Sequence, residues 1–106
     1  MFDIIYSYRN ADFSLDISES GTTSVVACVK TLNKNPKLAS YRDLKKACRM
    51  FVEKMYFDGY EYIVVGAHKE SLLGALTGLA GEVLKKDGDV TYMRVSIEGA
   101  YNVHWS

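Results

Sequence analysis

The sequence predicts an α+β fold: a mixed, mainly antiparallel sheet of five or six strands with two helices, in the order βββαβαβ(β). Three observations lead there. Residues 12–18 alternate strictly between polar and apolar side chains, and residues 41–55 bring apolar side chains round every three or four positions. A β-branched run at residues 63–65 then follows the helical stretch after a connection too long for a hairpin, so it enters the sheet by a crossover and pairs in parallel. With 106 residues, 48% of them apolar, the chain has material for one core, and residues 1–106 are read as a single domain.

Phe2 to Tyr8 is rich in isoleucine and tyrosine and reads as the first strand. Arg9-Asn10-Ala11 is a short connection into the second, Asp12 to Ser18, with Phe13, Leu15 and Ile17 on one face and Asp12, Ser14, Asp16 and Ser18 on the wet one. After Glu19-Ser20-Gly21, Thr22 to Lys30 is apolar on both faces, as in a strand covered on each side. Thr31 to Ala39 is polar, contains the only proline, and reads as a loop. The first helix follows, with Ser40 and Asp43 as a capping box and Gly59 in the left-handed closing position. Tyr60 to Ala67 is the central strand, reached by a right-handed crossover.

A second helix is expected from Ser71 to Lys86, with Lys85, Lys86 and Gly88 as stop signals. Gly74, Gly78 and Gly81 recur along it at helical steps. Each costs about 1 kcal/mol against alanine in a helix, so something should approach that stripe closely: the sheet, the first helix, a second copy of the chain or a ligand. Val90 to Ile97 reads as a strand, Glu98-Gly99 as a turn, and Tyr101, Val103 and Trp105 as an alternating last strand.

Thirteen basic and thirteen acidic residues give a formal net charge of zero, which argues against a globally basic nucleic-acid binder. The charge is nevertheless uneven, with eight bases against two acids from Lys30 to Lys54. Lys37, Arg42, Lys45, Lys46 and Arg49 form a basic patch, either a solvated helix face or a surface for phosphates or an acidic protein. His68 and Lys69 lie in the connection after the central strand, a place where anions often bind, although the spacing of a phosphate-binding loop is absent. Cys28 and Cys48 fall in different elements without metal-ligand spacing and read as reduced packing residues. No metal and no cofactor is expected. The chain start shows no secretory pattern, and its most apolar run is far below the roughly 20 residues of a membrane span, so a cytoplasmic protein without a membrane partner is expected.

The order of elements resembles the core of GNAT-type N-acetyltransferases. Tyr41 to Gly59 is similar to the helix after that family's pyrophosphate loop, Tyr60 to His68 to the next strand, and Glu70 to Ile97 to the final helix and strand. The resemblance implies acetyl transfer from acetyl-CoA. In place of the family's glycine-containing loop stands Asn35-Pro36-Lys37-Leu38-Ala39-Ser40, with no glycine and with a proline that lacks an N–H.

The functional reading these features favour is a small non-catalytic protein-binding module, of the compact sort with which phages and mobile elements modulate host machinery. Eight tyrosines and the basic patch supply interface material. Its alternatives are an acetyltransferase of the resembled family and a nucleic-acid binder acting through the first helix. A protein partner is expected, and a homodimer through the glycine stripe or a free strand edge is compatible with the pattern.

Overall fold

The computed structural model describes residues 3–67 and 82–105. Its elements are β1 (Ile4–Arg9), β2 (Phe13–Glu19), β3 (Ser24–Thr31), α1 (Leu38–Phe57), β4 (Tyr62–Ala67), β5 (Glu82–Asp87), β6 (Val90–Ser96) and α2 (Ile97–Trp105). The strands form one six-stranded sheet in the order β1-β2-β3-β4-β6-β5. Every neighbouring pair is antiparallel except β3 and β4, which run parallel from Ser24↔Tyr62 to Val29↔Ala67 without a register shift. The fold is therefore α+β with a mixed, mostly antiparallel sheet and, among the described residues, two helices, and α1 is the crossover that the parallel pair requires.

Strand alternation decides which face is buried. Phe13, Leu15 and Ile17 of β2, Val25, Ala27 and Val29 of β3, and Ile63 and Val65 of β4 all point to one side. α1 answers with Leu44, Ala47, Cys48, Phe51, Val52 and Met55, spaced at three and four residues. Ile97 and Ala100 of α2 close the same core. On the opposite face Val26 and Cys28 are half-buried, so β3 is less evenly covered than its two apolar faces predict.

α1 ends as expected at Gly59, whose φ of +89° is open to glycine at little cost. The Gly59 N–H donates to the Tyr56 carbonyl and the Tyr60 N–H to the Met55 carbonyl, the paired bonds of a Schellman motif. Its start differs from the expected one. The helix begins at Leu38 with Lys37 as the N-cap, so Ser40 lies inside the first turn and does not cap it.

Two predicted elements are corrected. Glu82 to Lys86 belongs to strand β5 and not to the end of a helix, and Gly88 is a hairpin residue and not a helix stop. Gly88 has φ +61° and Asp89 does not have a positive φ, the pattern of a two-residue turn with glycine first, flanked by the Asp87↔Val90 pair. The Glu-Val-Leu-Lys-Lys-Asp composition suits a helix locally. It also suits a sheet edge, where lysines and the irregularity between Val83 and Lys85 discourage pairing with another chain. Second, Tyr101, Val103 and Trp105 lie in helix α2, not in a last strand. Ser96 accepts the Gly99 N–H on its Oγ and Glu98 stands in the first turn, so the predicted Glu98-Gly99 turn is the start of a capped helix. The glycine stripe Gly74, Gly78 and Gly81 lies outside the described residues.

Gly66 is required by a close approach rather than by its dihedrals. The Tyr92 ring lies against it across the β4–β6 pair, and a Cβ there would stand 2.7 Å from Tyr92 Cε1. Gly66→Ala is expected to cost about 1–3 kcal/mol, the range for forcing carbon into a packed site. Denaturant titration measures it. Tyr92→Ala in the same chain should recover most of the difference, and an undiminished cost in that background would show that the ring is not what the methyl meets.

Candidate functional site

α1 is tied to the β1–β2 hairpin at both ends, and this positions everything it displays. Asn10 builds the hairpin turn by accepting the N–H groups of Asp12 (2.9 Å) and Phe13 (2.8 Å) on Oδ1. Its Nδ2 donates to the Tyr8 hydroxyl and to the Ser40 carbonyl in the first turn of α1, each at 3.0 Å. Asp12, read from the sequence as part of the wet face of a strand, is instead buried at 2% exposure just before β2. Its carboxylate accepts the Lys37 N–H at 3.0 Å and Asn33 Nδ2 at 3.1 Å, and Ser40 supplies a further side-chain hydrogen bond. The Ser40 bond and the Lys37 N–H hold its pKa below the ordinary aspartate value of 3.8, against the opposing effect of burial.

The consequence concerns anions. The start of a helix favours a negative group, and α1 has no acidic residue in its first turn. Asp12 supplies that charge from the neighbouring hairpin. The coenzyme A pyrophosphate implied by the family resemblance would therefore meet a buried carboxylate at this end, and the residues present do not fit it. Among the described residues the β3–β4 ladder is continuous from Ser24↔Tyr62 to Val29↔Ala67.

The predicted basic patch is placed on the outer side of α1. Arg42, Lys46 and Arg49 are exposed at four- and three-residue steps, and Lys37 is exposed at the N-cap. Lys45 is half-buried, with its Nζ 5.9 Å from the centroid of the Tyr41 ring, so its stem packs and its charge is partly engaged. His68 and Lys69 lie outside the described residues. The thiols are on opposite sides of the sheet: Cys48 is buried in α1 and pushed up to about 11 by burial, while Cys28 lies half-exposed on the outer face of β3. Among the described residues no group of histidine, cysteine, aspartate and glutamate is arranged to hold a metal ion, and no helix is long and apolar enough to cross a membrane.

The other end of α1 carries features that the sequence reading did not single out. Phe57 is 68% exposed and Met50 45% exposed. They share one helix face, and with Tyr6, Glu53, Lys54 and Asp58 they line a shallow groove of about 440 Å³. Tyr6 is fixed by a stack on Phe51 (5.2 Å between centroids) and donates from its hydroxyl to Asp58 at 2.9 Å. Behind Phe57, Tyr56 stacks on Tyr101 of α2 at 4.2 Å with the rings nearly parallel, and Phe57 meets both edge-on. An exposed phenylalanine next to a helix-ending glycine was the signal available in the sequence. No protein-family model, curated protein or solved structure matches the chain.

The depressed Asp12 pKa fixes the sign of an acid effect. Its contribution to stability is complete above the unfolded-state value and is lost as pH falls through the lower folded-state value. Asp12→Asn is expected to lower the melting temperature near neutral pH, with the gap to the parent chain closing below about pH 4. Melting curves across a pH series test this, and a gap independent of pH would show that the charge of Asp12 contributes nothing.

Proposed function

We propose that the protein is a small non-catalytic protein-binding module that docks its partner on the C-terminal half of α1. The observation that carries this reading is the Met50–Phe57 groove. A phenylalanine 68% exposed, on a helix hydrogen-bonded at both ends and with its ring against Tyr56 and Tyr101, is held in place by its neighbours, which lowers the ordering cost of binding. The groove has an apolar centre and a rim of Glu53, Lys54 and Asp58, the anatomy of a protein interface. The partner it fits presents an apolar anchor side chain flanked by charges of both signs.

A second reading, nucleic-acid binding, is favoured by the exposed row Arg42, Lys46 and Arg49. These bases stand in the second to fourth turns of α1, beyond the first turn in which the helix dipole acts on a side chain. Their spacing suits contacts to successive phosphates, but no aromatic side chain is exposed among them for base stacking.

Affinity capture with the full chain separates the two. A stoichiometric protein partner should be lost when Met50 and Phe57 are both changed to alanine, with affinity falling about 10–100-fold as expected for truncated hot-spot residues. It should be retained when Lys46 and Arg49 are changed to glutamate. The reverse pattern, with binding to RNA or DNA that weakens steeply as salt rises, would replace the protein-binding reading with the nucleic-acid one.

A further inference from the structure

A second cleft, distinct from the Met50–Phe57 groove, opens where the C-terminal end of α1 meets the start of β4 and the start of α2. Its volume is about 340 Å³, at the lower end for small-molecule pockets, and its walls include Tyr56, Tyr60, Tyr62, Glu61 and Glu98. We propose that this cleft binds an alkylammonium group, such as the head of a lysine side chain or of a free aliphatic amine.

Three independent sources of negative potential converge there. The first is the rings. Three tyrosines line one small space, and the faces of such rings attract cations. Tyr56 is held in position by its stack on Tyr101, and Tyr62, 44% exposed, already has the Arg94 guanidinium 5.4 Å from its centroid. That intramolecular contact shows that the Tyr62 ring attracts a cation, and an incoming ammonium has to share the ring with Arg94 or approach its other face. The second source is the two carboxylates, Glu61 and Glu98, both exposed at the cleft. The backbone keeps the two residues neighbours, because the Ile97 N–H donates to the Glu61 carbonyl at 2.9 Å and so ties the start of α2 to the entry of β4. The third is α1 itself, whose C-terminal end carries the negative pole of the helix dipole and closes at Gly59 on the cleft wall.

Arg94 adds a positive charge beside Tyr62, while the carboxylates around Tyr60 reinforce the negative sign. Glu19 and Asp58 lie close enough to Tyr60 to help burial raise its pKa, the response expected of a phenol in a negative field. A carboxylate ligand would be repelled, and a neutral apolar ligand would gain nothing from the glutamates. An ammonium on an alkyl stem satisfies both kinds of wall, its charge facing the carboxylates and its methylenes the rings. The geometry of the cleft is independent of the protein-binding reading, which it deepens in one respect only: if the amine belongs to a protein, it is a lysine of the partner already proposed.

The test uses the full chain and follows the amide resonances of Gly59, Glu61 and Ser96 during titration with n-butylammonium, with its neutral analogue n-butanol, and with the peptide Gly-Gly-Lys-Gly-Gly. n-Butylammonium should give saturable shifts and n-butanol none. The double variant Glu61→Gln, Glu98→Gln keeps side-chain size at two exposed positions and should weaken binding at least about tenfold. If the peptide binds more tightly than n-butylammonium, the source is a lysine of a protein, and if it binds no more tightly, the source is a free amine. Shifts that n-butanol reproduces, shifts indifferent to the two glutamines, or no saturable shift at all would each overturn the proposal. None of these three results touches the Met50–Phe57 groove, whose own test is loss of partner capture.

Discussion

The arrangement of this protein depends on one buried carboxylate. Asp12 sits at the end of the first hairpin and receives hydrogen bonds from the loop before α1, from the N-cap residue and from the first helical turn. Burying an unpaired charge is strongly unfavourable, so this site exists only if the loop at residues 31–37 and α1 take up their observed places around it. The same contacts relieve the helix of its missing N-terminal acid. A single residue thereby ties the start of a 20-residue helix to the first hairpin, and α1 spans about 30 Å of the molecule.

Because α1 is held at its start by Asn10 and Asp12 and at its end by the Schellman motif and the Tyr6–Asp58 bond, its solvent face is presented at fixed positions. That face is divided. Residues 42–49 display Arg42, Lys46 and Arg49, and residues 50–58 display Met50 and Phe57 beside Glu53 and Asp58. Formal neutrality of the whole chain conceals this separation, since acids gathered at Asp58, Glu61 and Glu98 balance bases gathered along α1. A zero net charge excludes a uniformly charged binder; it does not exclude two oppositely charged ends.

The sequence made most of the sheet legible because period-2 alternation in β2 and a central apolar run in β4 are driven by burial, and burial leaves its mark residue by residue. α1 was legible for the same reason, through Leu44, Cys48, Phe51, Val52 and Met55. The failures occur where burial is shallow. β5 is an edge strand whose Val83 and Leu84 are exposed, so no alternation records its pairing, and its lysines mimic a helix end. In α2, Tyr101, Val103 and Trp105 alternate at the strand period, while the helical signal lies in Ile97, Ala100 and Tyr101 at three- and four-residue steps behind Ser96 and Glu98. Asp12 was misread because its neighbours continue a polar–apolar alternation; its partners Asn33, Lys37 and Ser40 lie more than twenty residues away, beyond what local pattern can show. The two clefts were invisible for a related reason, being assembled from helix ends and strand ends that only the fold brings together.

Tyr56 and Phe57 connect those clefts. They are consecutive on α1, so their side chains diverge by about 100° and face different surfaces, Tyr56 toward the glutamate-lined cleft and Phe57 toward the groove. Yet each contacts the other, and both pack on Tyr101. Groups in direct contact do not contribute independently, so an occupant that shifts Phe57 also acts on the ring that walls the neighbouring site. The basic face has no such link. Arg42, Lys46 and Arg49 project from turns whose inner residues, Leu44, Ala47 and Cys48, pack in the core. The apolar and aromatic end of α1 is thus the part of the surface where one contact can alter another, and it is there that a partner engaging two chemistries at once gains from both.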